Sequence, residues 1–230
     1  WFNRIWIPPF TNDSGVHFGA AIYATYKTHE TIELPHNIAL LGKSYDDFMP
    51  RGGMIHYENF GELCDVVAAA INQNKIVGWF QGRSEHGPRA LGSRSILMSP
   101  SKAENKDIIN QRVKHREYWR PFAGVILEDR VGDYFLEAYD SPYMLFSQHS
   151  TNDRIPAITH EDKTCRIQTV NDELNPKLCE LLRKFEDPVL LNTSFNDNGE
   201  PIIETPDDAI IAFEKMDLDL LVIGDYLLWN

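Results

Sequence analysis

A glycine-rich stretch, residues 81–92 (QGRSEHGPRALG), carries two arginine side chains where a turn-rich loop is predicted. Its three glycines and one proline favour tight turns after the apolar segment that ends at Phe80. Arg83 and Arg89 would project from this loop. A guanidinium group stays charged and can donate two parallel hydrogen bonds to phosphate oxygens, so the loop is suited to phosphate binding. Two arginines in a loop are weak evidence by themselves, because structural salt bridges explain most such cases.

A second basic segment, residues 114–123 (KHREYWRPFA), lies directly before another apolar stretch. Lys114 and Arg116 are two residues apart, which places them on one face of an extended chain. Arg120 precedes a proline and is therefore biased away from helix. Three adjacent cations repel one another unless an anion lies among them. The segment predicts either an anion site or a solvated, surface-exposed basic loop.

Polar residues follow or border other predicted strands. Residues 192–196 (NTSFN) place Ser194 and Asn196 after an apolar strand, where hydroxyl and amide groups can bind phosphate or cap a turn. Residues 159–168 contain His160 and Arg166, which fit either the edge of a polar site or a simple turn. Neither segment decides between these interpretations by itself.

Several common catalytic and metal-binding patterns do not occur. The eight histidines form no HxxxH or HExxH pair, and there is no GxxxxGK[ST] or GxSxG sequence. Cys64, Cys165 and Cys179 have no CxxC spacing, so we expect reduced, buried thiols rather than disulfides or zinc ligands. Cys64, within an apolar helical pattern, is predicted to be a core residue.

The charge distribution is uneven. The net charge of −12 argues against a nucleic-acid or anionic-membrane surface. Residues 83–120, however, contain nine Lys or Arg and four Asp or Glu, a net charge of +5. Such a basic island suits a small polyanion. The sequence shows no apolar run of membrane-spanning length and no secretory leader, so we expect a cytoplasmic chain that contacts neither nucleic acid nor membrane.

The hydrophobic patterns predict an α/β fold with a mixed, twisted sheet. Residues 4–7 are predicted to be a strand, followed by a turn and a helix that begins near Gly19. Residues 27–58 are predicted to be an irregular linker, with the domain boundary after residue 58. The remaining helices are predicted at 62–73, 102–113, 176–185 and 205–216, and the remaining strands at 76–80, 95–98, 123–127, 144–148, 166–170, 189–191 and 218–223, the last of these being the final core strand.

Together these segments resemble the carbamoyltransferase family, which includes nodulation-factor O-carbamoyltransferases and antibiotic-tailoring enzymes. Residues 82–97 (GRSEHGPRALGSRSIL) are very close to its GRxExGPRALGxRSIL signature. Residues 114–123 match its second block, residues 159–170 its third and residues 191–196 its fourth. Their order and spacing agree over roughly residues 60–230. The resemblance implies a YrdC-like domain, because the Lys-x-Arg and Ser-x-Asn pair is also the YrdC pattern.

The resemblance implies an ATP-dependent O-carbamoyltransferase. Carbamoyl phosphate would be cleaved and its carbamate adenylated by ATP with Mg²⁺, and the carbamoyl-adenylate would then react with an acceptor hydroxyl in another domain. The expected catalytic residues are Arg89, Lys114 and Arg120, which would neutralise phosphates. The expected substrate-binding and ATP-binding residues are Arg83, His86, Arg116, Arg166, Ser194 and Asn196, with Ser194 and Asn196 holding the nucleotide phosphates or Mg²⁺.

Residues 1–26 resemble the end of the family's N-terminal domain, which has an actin-like ATPase-type fold. There, an aspartate matching Asp13 would complete an iron site with two histidines of an HxxxH helix that this sequence lacks. We therefore expect a C-terminal part divided into residues 1–58 and 59–230, with iron only in the full-length enzyme. Its expected partners are ATP, carbamoyl phosphate and the missing N-terminal domain, with a homodimer as a further candidate.

Two other functions stay open from the sequence. One is a YrdC-type threonylcarbamoyl-adenylate synthase, although the Asp13-Ser14-Gly15 segment and the GPRALG block do not belong to that enzyme. The other is a non-catalytic nucleotide-binding module, which would bind ATP without turnover.

Overall fold

The computed structural model describes residues 7–29, 31–34 and 37–230. Within these residues the chain forms one nine-stranded mixed sheet with helices on both faces. The strands are β1 (Ile55–His56), β2 (Val77–Phe80), β3 (Arg94–Met98), β4 (Ala123–Leu127), β5 (Ser147–His149), β6 (Thr164–Val170), β7 (Val189–Ser194), β8 (Leu220–Ile223) and β9 (Tyr226–Trp229). The helices are α1 (Val16–Thr28), α2 (Phe60–Asn72), α3 (Glu104–Arg112), α4 (Pro176–Leu182) and α5 (Pro206–Lys215).

The strand order across the sheet is β1-β9-β8-β2-β3-β7-β4-β6-β5. The pairs β2–β8 and β4–β6 are parallel, and the other pairs are antiparallel. Strands β2, β3, β4 and β8 are buried along their whole length, as expected for central strands with both faces covered. The predicted α/β class with a mixed sheet is confirmed.

Successive side chains of the central strands point to opposite faces of the sheet, so the apolar core is divided into two clusters, one on each face. Trp79 points into one apolar cluster, which α2 and α4 cover. Phe80 points into the other, which α3 and α5 cover. The ends of these helices are defined by local signals: Asn59 caps α2, while Thr205 and Asp208 form a capping box at the start of α5, with Pro206 at its first position.

Several strands begin or end at residues other than those predicted. Residues 218–223 do not form the last strand, because β9 follows after a turn at Gly224 and pairs with both β8 and β1. The strand predicted at 144–148 begins only at Ser147, since Met144 adopts a left-handed conformation (φ 56°) and packs into the core as part of a turn. Most of the strand predicted at 4–7 lies outside the described residues, while the helix predicted after it is present as α1.

Residues 37–58, predicted to be an irregular linker, pack against the sheet domain. Ile38 and Ala39 are buried, and Ala39 joins a small apolar cluster with Leu91 and Met144. Backbone hydrogen bonds link this segment to the glycine-rich loop, and β1 extends the sheet beyond β9. By contrast, α1 contributes no buried residue, although Phe10, just before it, is buried.

The three cysteines are free and buried, as predicted. Burial raises the pKa of the Cys64 thiol to about 12 and that of Cys165 to about 11, so neither is a thiolate near neutral pH. No helix of the described segments is both long and apolar enough to cross a membrane.

Candidate functional site

Three strands bring their polar ends to one edge of the sheet. In the β4–β7 antiparallel pair, Ala123 lies opposite Asn192, and in the β4–β6 parallel pair Gly124 lies opposite Ile167. The start of β4, the first half of β6 and the end of β7 therefore meet. The segment before β4 carries Arg116 and Arg120, while β6 carries Arg166, so strand pairing places distant arginines side by side.

A cavity of about 310 Å³ opens at this edge, and we call it the basic cavity. Four arginines and one serine supply most of its polar lining: Arg89, Arg116, Arg120, Arg166 and Ser194. These residues come from four separate segments of the chain. Of the residues predicted to be catalytic or to bind substrate or ATP, these five line one cavity.

Arg116 is held in place by its neighbours. Its Nε donates to Oδ1 of Asn110 at 2.7 Å, and its guanidinium carbon lies 4.4 Å from the centre of the Phe122 ring. Burial, and secondarily the charge of Arg120, lowers the pKa of Arg116 to about 10. The group stays charged at neutral pH, but in an environment that disfavours its charge.

Arg89 and Arg166 each bury an Nε–H group that has no partner. Burial and then the charge of Arg89 lower the pKa of Arg166. Within the described residues, no carboxylate forms an ion pair with Arg89, Arg116 or Arg166. Half-buried cations without a carboxylate partner are costly, and a polyanion in the cavity would neutralise their charge.

Lys114 lies behind the cavity rather than on its wall. Its Nζ lies 2.9 Å from the carbonyl oxygen and 3.3 Å from Oγ of Ser194, and 2.6 Å from the carbonyl oxygen and 2.8 Å from Oδ1 of Asn196. The residue is only 4% exposed, so the alternative of a solvated, surface-exposed basic loop does not hold for Lys114. Burial, then the charge of Arg116, lowers its pKa to about 7. Lys114 joins the Lys-x-Arg segment to the Ser-x-Asn segment.

Arg83 and His86 do not line the basic cavity. The exposed Arg83 donates to the carbonyl oxygen of Leu41 at 2.9 Å. The ring of His86 packs edge-on against Phe10, with centroids 4.6 Å apart, and against His17, with centroids 4.8 Å apart. Both side chains contact the segments that precede the sheet domain.

Glu85, which the sequence did not single out, closes the glycine-rich loop on itself. Its Oε1 accepts from the backbone N–H groups of Leu91 at 2.7 Å, Ser93 at 2.8 Å and Arg94 at 3.1 Å. Burial raises the pKa of this carboxyl, and the three backbone hydrogen bonds oppose that shift. A carboxylate four residues before Arg89 in a glycine-rich loop was the available signal, since such loops leave several N–H groups without local acceptors.

Two buried amides anchor the same loop to the sheet. Gln168 Nε2 donates to the carbonyl oxygen of Leu91 at 2.9 Å, while Asn192 Nδ2 donates to that of Ala90 at 3.3 Å and to Gln168 Oε1 at 3.0 Å. A third amide, Asn110, holds the second basic segment by donating to the carbonyl oxygen of Arg120 at 3.2 Å. Gln168 and Asn110 gave no sequence signal beyond being polar residues within apolar elements.

A second cavity of about 430 Å³ adjoins the first and shares Pro88 and Ser194 with it. Its lining includes Ser84 and the carboxylates of Glu85, Glu200 and Glu204. The Glu85 Oε2 atom is buried and has no partner. A cationic cavity thus continues into one whose charged lining consists of three carboxylates and the guanidinium of Arg94.

Asp13, the predicted metal ligand, is exposed at the start of a short 3-10 helix before α1. Among the described residues, no group of three or more His, Cys, Asp or Glu side chains could hold a metal ion. The residues of this part of the chain therefore do not fit an iron site.

Comparison with known proteins places the chain in a family. Residues 68–230 match the family model described as "Carbamoyltransferase C-terminus". The chain is 38% identical to nodulation protein NolNO of Sinorhizobium fredii, covering 99% of this chain and 36% of that protein. It is 34% identical to 3'-hydroxymethylcephem-O-carbamoyltransferase of Amycolatopsis lactamdurans, covering 97% of this chain and 44% of that protein.

Among solved structures, the chain resembles full-length HypF in its phosphate- and nucleotide-bound form, with a TM-score of 0.49, 20% identity and coverage of 77% of this chain and 22% of that one. The chain spans less than half the length of the two relatives described above. Since the family model covers residues 68–230, which include all four arginines of the basic cavity, this chain belongs to the carbamoyltransferase C-terminal family.

Proposed function

We propose that the basic cavity binds carbamoyl phosphate and ATP and promotes formation of carbamoyl-adenylate, as part of a longer O-carbamoyltransferase. The observation that carries this proposal is the set of four guanidinium groups on one cavity, three of them without a carboxylate partner within the described residues. The family model and one relative support the class of reaction, since the model is described as the carbamoyltransferase C-terminus and the relative is named as an O-carbamoyltransferase.

The reaction has two steps in this proposal. Water cleaves carbamoyl phosphate to carbamate and inorganic phosphate. A carbamate oxygen then attacks the α-phosphorus of ATP, forming a new P–O bond and breaking the bridging bond to the β-phosphorus, so that pyrophosphate leaves. Arg89, Arg116 and Arg166 would stabilise the charge that develops on the phosphates, each supplying on the order of 3 kcal/mol.

Lys114 would act through Ser194 and Asn196, fixing the oxygen atoms that border both cavities. Because these oxygens already face the Lys114 ammonium, the present arrangement does not offer them as ligands to a divalent cation. Mg²⁺ would therefore enter with the ATP phosphates. The basic cavity would take the phosphates, and the adjoining cavity, lined by hydroxyls and carboxylates, would take the donor-rich nucleoside.

The decisive measurement is ATP–pyrophosphate exchange that depends on carbamoyl phosphate. We expect Arg89→Ala and Arg166→Ala to lower this exchange by about 100-fold or more. A matched control is Arg130→Ala, because Arg130 forms a local ion pair with Asp133 outside the cavity and should leave exchange unchanged. Equal losses in Arg130→Ala would contradict the assignment.

Two further measurements distinguish the alternative functions. Exchange that requires threonine and bicarbonate in place of carbamoyl phosphate would indicate threonylcarbamoyl-adenylate synthesis. ATP binding with no exchange under either condition would indicate a non-catalytic module. Transfer to an acceptor hydroxyl, and any iron site, would require the part of the protein that the relatives have and this chain does not span.

A further inference from the structure

A third cavity, of about 390 Å³, lies at the carboxyl ends of the two adjacent parallel strands β2 and β8. Phe80 and Ile223 form the last residue pair of these strands. The backbone then turns at Gly82 (φ 50°) after β2 and at Gly224 (φ 58°) after β8. We call this the aromatic cavity. In α/β sheets, the crevice beyond the carboxyl ends of parallel strands is a preferred position for ligands, and the volume falls in the usual range of about 300–1,000 Å³.

The floor of the aromatic cavity includes a buried amide with one unused acceptor. Gln81 is 2% exposed, and its Nε2 donates to the carbonyl oxygen of Gly224 at 2.7 Å. Since a carbonyl oxygen only accepts, this bond fixes which end of the amide carries the nitrogen. The remaining atom, Oε1, is buried and has no partner. A buried acceptor left without a donor is costly, so a donor from a ligand would be stabilised there.

The walls of the aromatic cavity are flat and their charge is opposite in sign to that of the basic cavity. Four aromatic rings from three segments line it, those of Tyr45, Phe48, Phe80 and Tyr226. Its charged lining residues are Asp46 and the ion pair between Lys177 and Asp225, whose Nζ and Oδ1 atoms are 3.0 Å apart. The lining therefore carries a net negative charge, which disfavours phosphates and carboxylates.

The aromatic cavity is closed off from the phosphate site by side chains that bind each other. The guanidinium of Arg94 lies 3.6 Å from the centre of the Phe80 ring and donates to the carbonyl oxygen of Gln81 at 2.9 Å. Tyr45 reaches Glu204, which lines the adjoining cavity, at 3.4 Å. The aromatic cavity and the basic cavity share no lining residue.

We infer that the aromatic cavity is a second ligand site, which takes a phosphate-free ring bearing hydroxyl or amino donors, of the size of a monosaccharide or a nucleoside. One donor of the ring binds Gln81 Oε1, the faces of the ring stack on the aromatic walls, and further donors face the Asp46 carboxylate. This inference does not depend on the proposed carbamoyl-adenylate chemistry, because it uses none of the residues of the basic cavity.

The test is a titration of the whole 230-residue chain, followed by NMR, with glucosamine and with adenosine in separate arms. We expect saturable binding of at least one, with shifts in the resonances of residues 80–82 and 224–226. Phe48→Ala and Gln81→Met should each weaken binding at least tenfold. Glucosamine 6-phosphate should bind more weakly than glucosamine. Binding in the first arm identifies a sugar-type ligand, and in the second arm a nucleoside-type ligand.

Arg120→Ala is the matched control, because Arg120 lies in the basic cavity and its loss should not change this binding. Asp46→Asn, an exposed position, tests the same site if Gln81→Met fails to fold, and should weaken glucosamine binding severalfold. Absence of binding in both arms would overturn the inference. So would binding that is unchanged in Phe48→Ala and Asp46→Asn, or that is lost in Arg120→Ala.

Discussion

Arg94 and Lys114 are buried cations whose direct hydrogen-bond acceptors are neutral oxygen atoms. Arg94 is fully buried and donates to backbone carbonyl oxygens, including those of Gln81 and Gly82. Lys114 is surrounded by oxygens of Ser194 and Asn196. The local count of basic residues could not distinguish these cations from those that face the cavity. Arg94 belongs to the basic island by sequence but holds the glycine-rich loop by structure.

Replacing Arg94 tests this structural role. We expect Arg94→Lys to lower the free energy of unfolding by about 2–4 kcal/mol, because lysine cannot reproduce the fork that reaches several carbonyl oxygens and leaves buried acceptors unpaired. Urea denaturation monitored by tryptophan fluorescence measures the change. Arg112→Lys, at a partly exposed arginine paired with Asp217, should change stability by less than about 1 kcal/mol. Equal effects at both positions would contradict the role assigned to Arg94.

Lys114 gives the site a dependence on pH. Its pKa of about 7 lies below the ordinary value of 10.5, so its charge is lost as the pH rises through about 7. We expect sulfate, whose own charge is constant in this range, to bind most tightly below pH 7. Its affinity should fall by about fivefold by pH 9, which corresponds to about 1 kcal/mol. Arg116, with a pKa of about 10, stays charged throughout.

Isothermal titration calorimetry with sulfate between pH 6 and pH 9 measures this dependence. Lys114→Met should bind sulfate more weakly at pH 6 and show a flat profile. A profile with the same slope in Lys114→Met would assign the titration to another group.

At the scale of the elements, local patterns predicted the helices and central strands well, because alternation and capping residues are short-range signals. Thr205 and Pro206 fixed the start of α5 to within one residue. The way in which the site residues come together was harder to predict from the sequence. The recognised motifs named Arg89, Arg116, Arg120 and Arg166, but their meeting depends on the pairing of β4 with β6 and β7, which no short-range pattern specifies.

The difference between short-range patterns and long-range contacts also explains which features could not be predicted from the sequence. Glu85, Asn110 and Gln168 act by accepting from or donating to backbone groups of other segments, so their partners appear only in three dimensions. Strand β9 was missed because it follows β8 after only two residues and was not separated from the preceding apolar run. Arg83 lies in the same motif as Arg89, but its guanidinium donates to the carbonyl oxygen of Leu41 instead of facing the basic cavity.

The glycine-rich loop offers a prediction at this scale. In Glu85→Ala the N–H groups of Leu91, Ser93 and Arg94 lose their common acceptor, so we expect faster amide hydrogen exchange at these residues. Because Arg89 lies in this loop, sulfate affinity should fall by about tenfold. Glu85→Gln keeps a carbonyl oxygen at the same position and should retain most of the protection. Unchanged exchange in Glu85→Ala would show that the loop is held by its anchors to β6 and β7 alone.

At the scale of the whole molecule, the segment before α2 is tied to the sheet domain at several points. Gly42 N–H donates to the carbonyl oxygen of Ser84, and Ser84 N–H donates to that of Lys43. His86 N–H donates to the carbonyl oxygen of Ala39 at 2.6 Å, and β1 pairs with β9. These contacts reach the loop that carries Arg89. The predicted division after residue 58 would separate this loop from its supports.

Truncated chains test where the sheet domain begins. A chain of residues 37–230 keeps Ile38, Ala39, the backbone bonds to the glycine-rich loop and β1. A chain of residues 59–230 loses all of them. We expect the shorter chain to be less stable than the longer one by about 3–5 kcal/mol, from the exposed apolar side chains and the unpaired buried backbone groups. The shorter chain should also bind sulfate more weakly, because the loop of Arg89 loses three backbone partners.

Urea denaturation and sulfate titration of both chains and of the full 230 residues measure these effects. Removing residues 1–36 alone takes away the contact of Phe10 with His86 but leaves the sheet domain complete, so that loss should be the smaller one. Equal stability of the two truncated chains, with equal sulfate affinity, would instead place the physical boundary after residue 58. In that case residues 37–58 would be a covering segment whose hydrogen bonds to the loop contribute little to its conformation.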